Sequence, residues 1–356
     1  MKIKHVVGTF AGLSLLVAAC GGDDGASVTD LGADEDGSGS ASESGTGSAS
    51  EPGSGDEGDA SGSAGEPGSG DEGDASGSAS GPVAGDPTSG DEGAIPTAIV
   101  SLSPTATEML YAIGAGDQVI AVDDFSNHPA EAAEKMAGIS GFEPNVEAIA
   151  GLEPDLVVTD GTNPDFLAQL DDLGIARWEG PAAATFDDVY SQIEQLGAAT
   201  GHVGEAAELV GQMQTDVAAV VAGLPELDQP LTYYHELDPS LFSVTSETFI
   251  GAVYGEIGLE NIADEAGADS LFPQLNAEFV VEQDPDLIFL ACTIYCGTTA
   301  DEVAERDGWE NMTAVTRGGV IEMNDDIASR WGPRIVDYLE AAGDAVAEVV
   351  ASQPVG

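Results

Sequence analysis

From Ile95 onward, short apolar runs alternate with polar stretches of helical period. Thr97–Ser103 reads as a buried strand and Thr105–Ile113 as a helix opened by polar residues. Gln118–Val122, Leu156–Thr159 and Ala176–Trp178 are further strands, with helices over Asp165–Leu173 and Phe186–Ala198 between them. Strands alternating with helices across short turns predict parallel sheets. Gly201 stops this series, and Val203–Leu224 then runs without proline. Its apolar residues, Ala207, Val210, Met213, Val217, Val220 and Val221, recur at helical spacing. One helix of that length spans roughly 30 Å. Pro225 and Pro230 punctuate its end. Strands resume at Leu231–His235, Ser240–Val244, Asp286–Ala291 and Val320–Met323, and a last helix covers Pro333–Val350. The fold class is α/β, with two lobes joined by a single long helix.

An internal repeat supports two lobes. The segment from Asn145 to Val158 resembles the segment from Asn276 to Phe289 at a constant offset. In each copy an Asn caps a short helix. A Glu, Glu147 or Glu278, stands in the first turn, where the helix dipole favours it. A Pro-Asp turn then leads into an apolar strand. Two lobes with one copy each, joined by one helix, predict a cleft between rigid halves.

The first 95 residues differ in kind. Lys2 and Lys4 precede a run, Val6–Ala19, that is apolar or small apart from Thr9 and Ser14. It is too short for a permanent membrane span and reads as a signal peptide. It ends Leu16-Val17-Ala18-Ala19-Cys20, which resembles the bacterial lipobox, where the Cys is lipidated and becomes the new N-terminus. Residues 21–95 hold 18 acidic side chains, no Lys or Arg, and mostly Gly, Ser, Ala and Pro. A 15-residue period links the segments beginning at Glu51 and Glu66. This composition predicts a disordered, charge-extended tether. The domain plan is a signal peptide over 1–19, a lipidated Cys and tether over 20–95, and an N-terminal lobe over 96–201. A bridging helix follows over 202–226, and a C-terminal lobe over 227–356.

The 356 residues carry 65 acidic and 8 basic side chains, a formal net charge of −57. A nucleic-acid partner needs a basic face and is excluded. No GxSxG motif is present and His128, His202 and His235 are scattered, which disfavours a hydrolase or a bare-metal site. Cys292 and Cys296, outside the cytoplasm and four residues apart, are a candidate disulfide loop at the cleft rim.

The stretch Ile99–Gly116 (IVSLSPTATEMLYAIGAG) is similar to the opening of the substrate-binding proteins of ABC importers for vitamin B12 and ferric siderophores. The Asn145 repeat, Phe272-Pro-Gln-Leu-Asn-Ala-Glu278 and Arg330-Trp-Gly-Pro-Arg334 resemble the same family, so the likeness covers about residues 96–352. The resemblance implies two Rossmann-like lobes, a ligand in the cleft and no enzymatic activity. It implies that Glu147 and Glu278 dock on a membrane permease with its ATPase; the alternative is that both acids only serve helix N-termini. It points to Asp326 and Arg330 as ligand-facing groups, the alternative being a structural ion pair. Phe272 and His128 match aromatic positions of the cleft, and Phe125, Phe142, Trp331 and Tyr295 lie in loops near the same edge. Asp160 or Gly161 stands where vitamin B12-binding relatives have a Trp, a departure from that pattern.

The expected molecule is a monomeric, lipid-anchored, extracytoplasmic solute-binding protein without a cofactor of its own. Its ligand is a cobalt or iron chelate. The acidity favours a neutral or cationic chelate, such as cobalamin, another corrinoid or a ferric hydroxamate, over a catecholate trianion. The alternatives are a haem- or metal-ion-binding protein, or a cell-surface sensor or adhesion module on the same fold.

Overall fold

A computed structural model describes residues 94–227 and 229–352. The signal segment, Cys20 and the repeat tether lie outside the described residues. The described chain falls in one compact unit and forms two lobes of one plan.

In the first lobe the elements run β1 (Ile99–Ser101), α1 (Pro104–Ala112), β2 (Val119–Val122), α2 (Ala130–Ala133), α3 (Val146–Ala150), β3 (Leu156–Thr159), α4 (Pro164–Leu173), β4 (Arg177–Glu179) and α5 (Phe186–Thr200). Helix α6 (Val203–Gly223) crosses to the second lobe. There the order is β5 (Thr232–Glu236), α7 (Phe249–Glu256), β6 (Glu260–Asn261), α8 (Ala277–Gln283), β7 (Leu287–Leu290), α9 (Ala300–Ala304), α10 (Thr313–Arg317), β8 (Val320–Glu322), α11 (Asp325–Ser329) and α12 (Ile335–Ser352). Both sheets are wholly parallel, with spatial orders β2-β1-β3-β4 and β6-β5-β7-β8. The second lobe therefore repeats the first, strand for strand.

The central strands β1, β3, β5 and β7 are buried on both faces, as parallel strands under helices must be. Ile99, Val158, Tyr233 and Phe289 face a core that runs continuously through both lobes and the start of α6. Val100 and Val157 face a separate outer core of the first lobe, and Tyr234 and Ile288 one of the second. On α6 the buried positions are Ala206, Val210 and Met213, while Ala207 and Val221 are exposed. The expected stripe is thus one residue out at its start. The reason is α5: a Cβ at Gly197 would lie 2.4 Å from the Ala206 Cβ, so the two helices cross there at closest approach.

The internal repeat lands on α3–β3 and α8–β7, equivalent places in the two lobes. Asn145 accepts from the Ala148 amide and Asn276 from the Phe279 amide, each capping its helix. The Asp of each Pro-Asp turn ties down the first strand of its lobe. Asp155 accepts from the Thr97 and Ala98 amides at 2.8 and 2.9 Å, and Asp286 from the Thr232 amide at 3.1 Å. These amide bonds hold the Asp155 carboxyl below its ordinary value, outweighing its partial burial.

One expected strand is corrected. Ser240–Val244 does not join the sheet. Phe242 instead bridges Gln274 in antiparallel fashion, with Ser243 donating to the Pro273 carbonyl and Leu275 to the Leu241 carbonyl. Helix α7 and the two-residue strand β6, not anticipated from the pattern, follow this extended pair. Thr248 caps α7 by accepting from the Gly251 amide.

Candidate functional site

In parallel α/β sheets the loops at the strand C-termini build the site. Both lobes turn such loops toward one seam, and the groups meeting there are mostly charged. After β1, Ser103 caps α1 and Pro104 fills its first turn. This sets Glu108, on the second turn, facing the other lobe, with its side chain 2% exposed. Below it a buried hydroxyl chain links Ser101, Thr107 and Ser126 at 2.8 and 2.9 Å. After β2, the loop 123–129 brings the Phe125 carbonyl and Asn127 to the same place. From the second lobe come Asp326 on α11, Arg330 at its C-terminus, and Arg334.

Arg330 ties the seam together. Its Nη1 donates to Glu108 Oε1 (2.8 Å) and Asn127 Oδ1 (2.9 Å), and its Nη2 to the Phe125 carbonyl (3.0 Å) and Asp326 Oδ1 (2.7 Å). Arg334 donates through Nε to Glu108 Oε2 at 2.8 Å and through Nη2 to Oε1. These bonds hold the Arg334 guanidinium above its ordinary pKa. Asn127 Nδ2 donates to Asp326 Oδ2 at 2.8 Å. A second joint is made by Trp331, half-buried, whose Nε1 donates to Gln192 Oε1 on α5 at 3.1 Å. Asp123, at the end of β2, is buried, and burial raises its carboxyl above the ordinary value against the pull of Ser126 and Arg330. The loop above it depends on Gly141, where a Cβ would stand 2.6 Å from Asp123 Oδ2.

The structure thus brings Asp326 and Arg330 together, but with four guanidinium N–H groups engaged by the protein. Glu108 and Asn127 were not singled out in the sequence. The signal that could have found Glu108 is the pair Arg330 and Arg334, four apart in the connection between α11 and α12, which calls for a carboxylate partner elsewhere. All five arginines of the described residues meet carboxylates. Arg177 pairs with Asp171 and Glu179, Arg306 with Glu236, Arg317 with Asp286, and Arg330 and Arg334 with Glu108. Lys135 donates to the Gly116 and Val119 carbonyls.

Apolar side chains flank the polar seam. On the first-lobe side Phe125 and Phe142 meet edge to face at 5.6 Å and stay 40% and 63% exposed. On the other side stand Ile294 and Tyr295, the Tyr295 hydroxyl donating to Asp326 Oδ1 at 3.0 Å. Cys292 and Cys296 are joined by a disulfide across this loop. Phe272, half-buried, lies in the extended pair beside exposed Phe242 and Leu271. His128 is set apart from these. It lines a cavity of about 410 Å³ with Glu108, Tyr111, Pro129, Pro333 and Arg334, a lining that includes neither Phe142 nor Phe272.

Glu147 and Glu278 are exposed, on α3 and α8 at equivalent places of the two lobes. The helix-capping bonds there are made by Asn145 and Asn276.

Paired parallel α/β lobes, a helix between them and a lined seam at the strand ends define a two-lobed solute-binding protein of the kind that serves ABC importers. The chain belongs to the periplasmic binding protein family, whose model matches residues 99–327. It is 30% identical over 258 residues to a cobalamin-binding protein of Halobacterium salinarum, covering 70% of this chain and 69% of that one. It is also 30% identical to an ABC transporter substrate-binding lipoprotein of Bacillus subtilis, over 70% of this chain and 80% of the relative. Among solved structures, the periplasmic vitamin B12-binding protein of Vibrio cholerae matches with a TM-score of 0.60 at 27% identity, covering 73% of this chain and 99% of that one. Among the described residues no helix is long and apolar enough to cross a membrane.

Proposed function

We propose that this protein captures a neutral or cationic metal chelate, a corrinoid foremost, at the seam between its lobes and hands it to an ABC importer. The observation that carries the reading is the pairing of exposed apolar walls with a charge-satisfied floor. Phe125 and Phe142 on one side and Ile294 and Tyr295 on the other offer the flat, apolar faces a macrocycle needs. Asp326, Arg330 and Asn127 form the floor between them. At the seam both arginines are already paired with carboxylates, so an anionic chelate there would compete with an existing ion pair for its counter-charge. The halobacterial and Vibrio relatives, named for cobalamin and vitamin B12, support the corrinoid. The role is binding and delivery, without catalysis.

Glu147 and Glu278 are proposed as the permease contacts. Two exposed carboxylates in pseudo-equivalent positions suit a two-fold partner bearing basic pockets. Anchoring through lipidated Cys20 places the domain outside the cytoplasmic membrane. The lipoprotein relative supports that anchor.

The test is a titration of the full chain followed by Trp fluorescence, with cyanocobalamin, ferrioxamine, ferric enterobactin and haemin. Trp331, half-buried in the inter-lobe joint, is the reporter. Saturable quenching by cyanocobalamin or ferrioxamine is expected. Quenching by ferric enterobactin alone would overturn the charge argument. Binding of none of the four would turn the reading toward a surface sensor.

A further inference from the structure

The loop after β7 combines features that a mere connection does not need. Its ring of five residues is closed by the Cys292–Cys296 disulfide, with Cα atoms 5.1 Å apart, and by a bond from the Thr298 amide to the Cys292 carbonyl. Asp325, 4% exposed, sits under the ring. Its carboxylate accepts three consecutive amides, those of Thr293, Ile294 and Tyr295, at 2.8–3.1 Å, and the Thr293 hydroxyl at 3.0 Å. Asp325 is spared for this because Asn324 caps α11, accepting from Asp326 and Ile327. Successive amides converging on one anion make a rigid concavity, and charge-assisted bonds are the stronger kind. On this clamped ring Ile294 and Tyr295 remain 59% and 60% exposed. Rigidly displaying two large apolar side chains to water is unfavourable unless something covers them. The Tyr295 hydroxyl leads directly into the floor through Asp326, which bonds Asn127 of the other lobe.

We propose that the Cys292–Cys296 ring, fixed on Asp325, is a pre-formed wall of the chelate site that sets both affinity and choice of chelate through Ile294 and Tyr295. Asp325 is the positioning residue and the disulfide the second fastening. The proposal rests on the chelate-binding reading above. A wall ordered before binding spares the ligand the cost of ordering it.

The test titrates the full chain with cyanocobalamin, ferrioxamine and haemin, comparing wild type, Ile294→Ala, Tyr295→Ala and the double variant Cys292→Ser/Cys296→Ser. Wild type in a reducing agent gives the same comparison if the double variant does not fold. Each change is expected to weaken the preferred chelate by roughly tenfold. It should also narrow the ratio of affinities among the three chelates, which a change in stability alone would not move. Unchanged affinities and ratios in variants that fold like wild type would overturn the wall while leaving the chelate-binding reading standing. Failure of wild type to bind any of the three would overturn that reading, and the wall with it.

Discussion

Removing the Glu108 carboxylate is the perturbation for which the structure makes the largest demand. Glu108 is 2% exposed in its side chain, Arg330 8% and Arg334 19%. Three charge-assisted bonds converge on the carboxylate, and they come from two guanidinium groups of the opposite lobe. In Glu108→Ala, Arg330 keeps Asp326, Asn127 and the Phe125 carbonyl, but Arg334 loses both of its carboxylate bonds. Breaking a buried pair from one side costs about 3–5 kcal/mol, because a desolvated charge is left without its partner. For a unit of this size each kcal/mol lowers Tm by about 2–4 °C, so a drop of roughly 6–20 °C is expected. Urea unfolding of wild type, Glu108→Ala, Arg334→Ala and the double variant completes a cycle. A coupling of about 1.5–3 kcal/mol between the two sites is expected. A loss under about 1 kcal/mol for Glu108→Ala, or strict additivity in the cycle, would refute the view that this pair joins the lobes.

Three further outcomes follow from individual contacts. His235 is fully buried, with Nδ1 2.9 Å from the Tyr254 hydroxyl, and burial pushes its pKa down to about 3. The unfolded chain therefore binds a proton below about pH 6.5 that the folded chain refuses, and stability falls on acidification by up to about 1.4 kcal/mol per pH unit. The raised Asp123 carboxyl acts in the opposite sense and partly offsets this slope. His235→Gln should flatten it, and an unchanged slope would exclude His235 as its source. Asp155→Ala removes the tie on Thr97 and Ala98 and should cost about 1 kcal/mol in urea unfolding, modest because the residue is exposed. Gly251→Ala would set a Cβ 2.3 Å from the Thr245 carbonyl oxygen and should destabilise the chain by more than about 2 kcal/mol, where a neutral result would show that α7 can shift.

Much of the fold was legible because parallel strands are short, apolar and bounded by turns. Seven of the eight strands lie at or within one residue of the expected segments. The repeat was legible for a physical reason: Asn caps and Asp ties are sequence-local devices, used at the same place in each lobe. Ser240–Val244 was misassigned because its alternation is real, yet its partner is the 271–275 segment and not a sheet strand. That choice is made by tertiary contacts. The site was less legible. Asp326, Arg330 and Tyr295 do meet in one network, but the residues that complete it, Glu108 and Asn127, lie about 200 positions away in the chain. Glu108 reads locally as one polar position on an amphipathic helix. Only the opposing lobe makes it the acceptor of two arginines.

The most direct measurement is an anomalous difference map from crystals of the protein grown with cyanocobalamin, collected at the cobalt edge. A peak between the Phe125–Phe142 pair and the Ile294–Tyr295 wall, above Asp326, is the predicted result. A peak in the His128 cavity, on the far side of Glu108 and Arg334, or on the outer surface of either lobe, would contradict the assignment of the Phe125–Tyr295 face of the seam as the site.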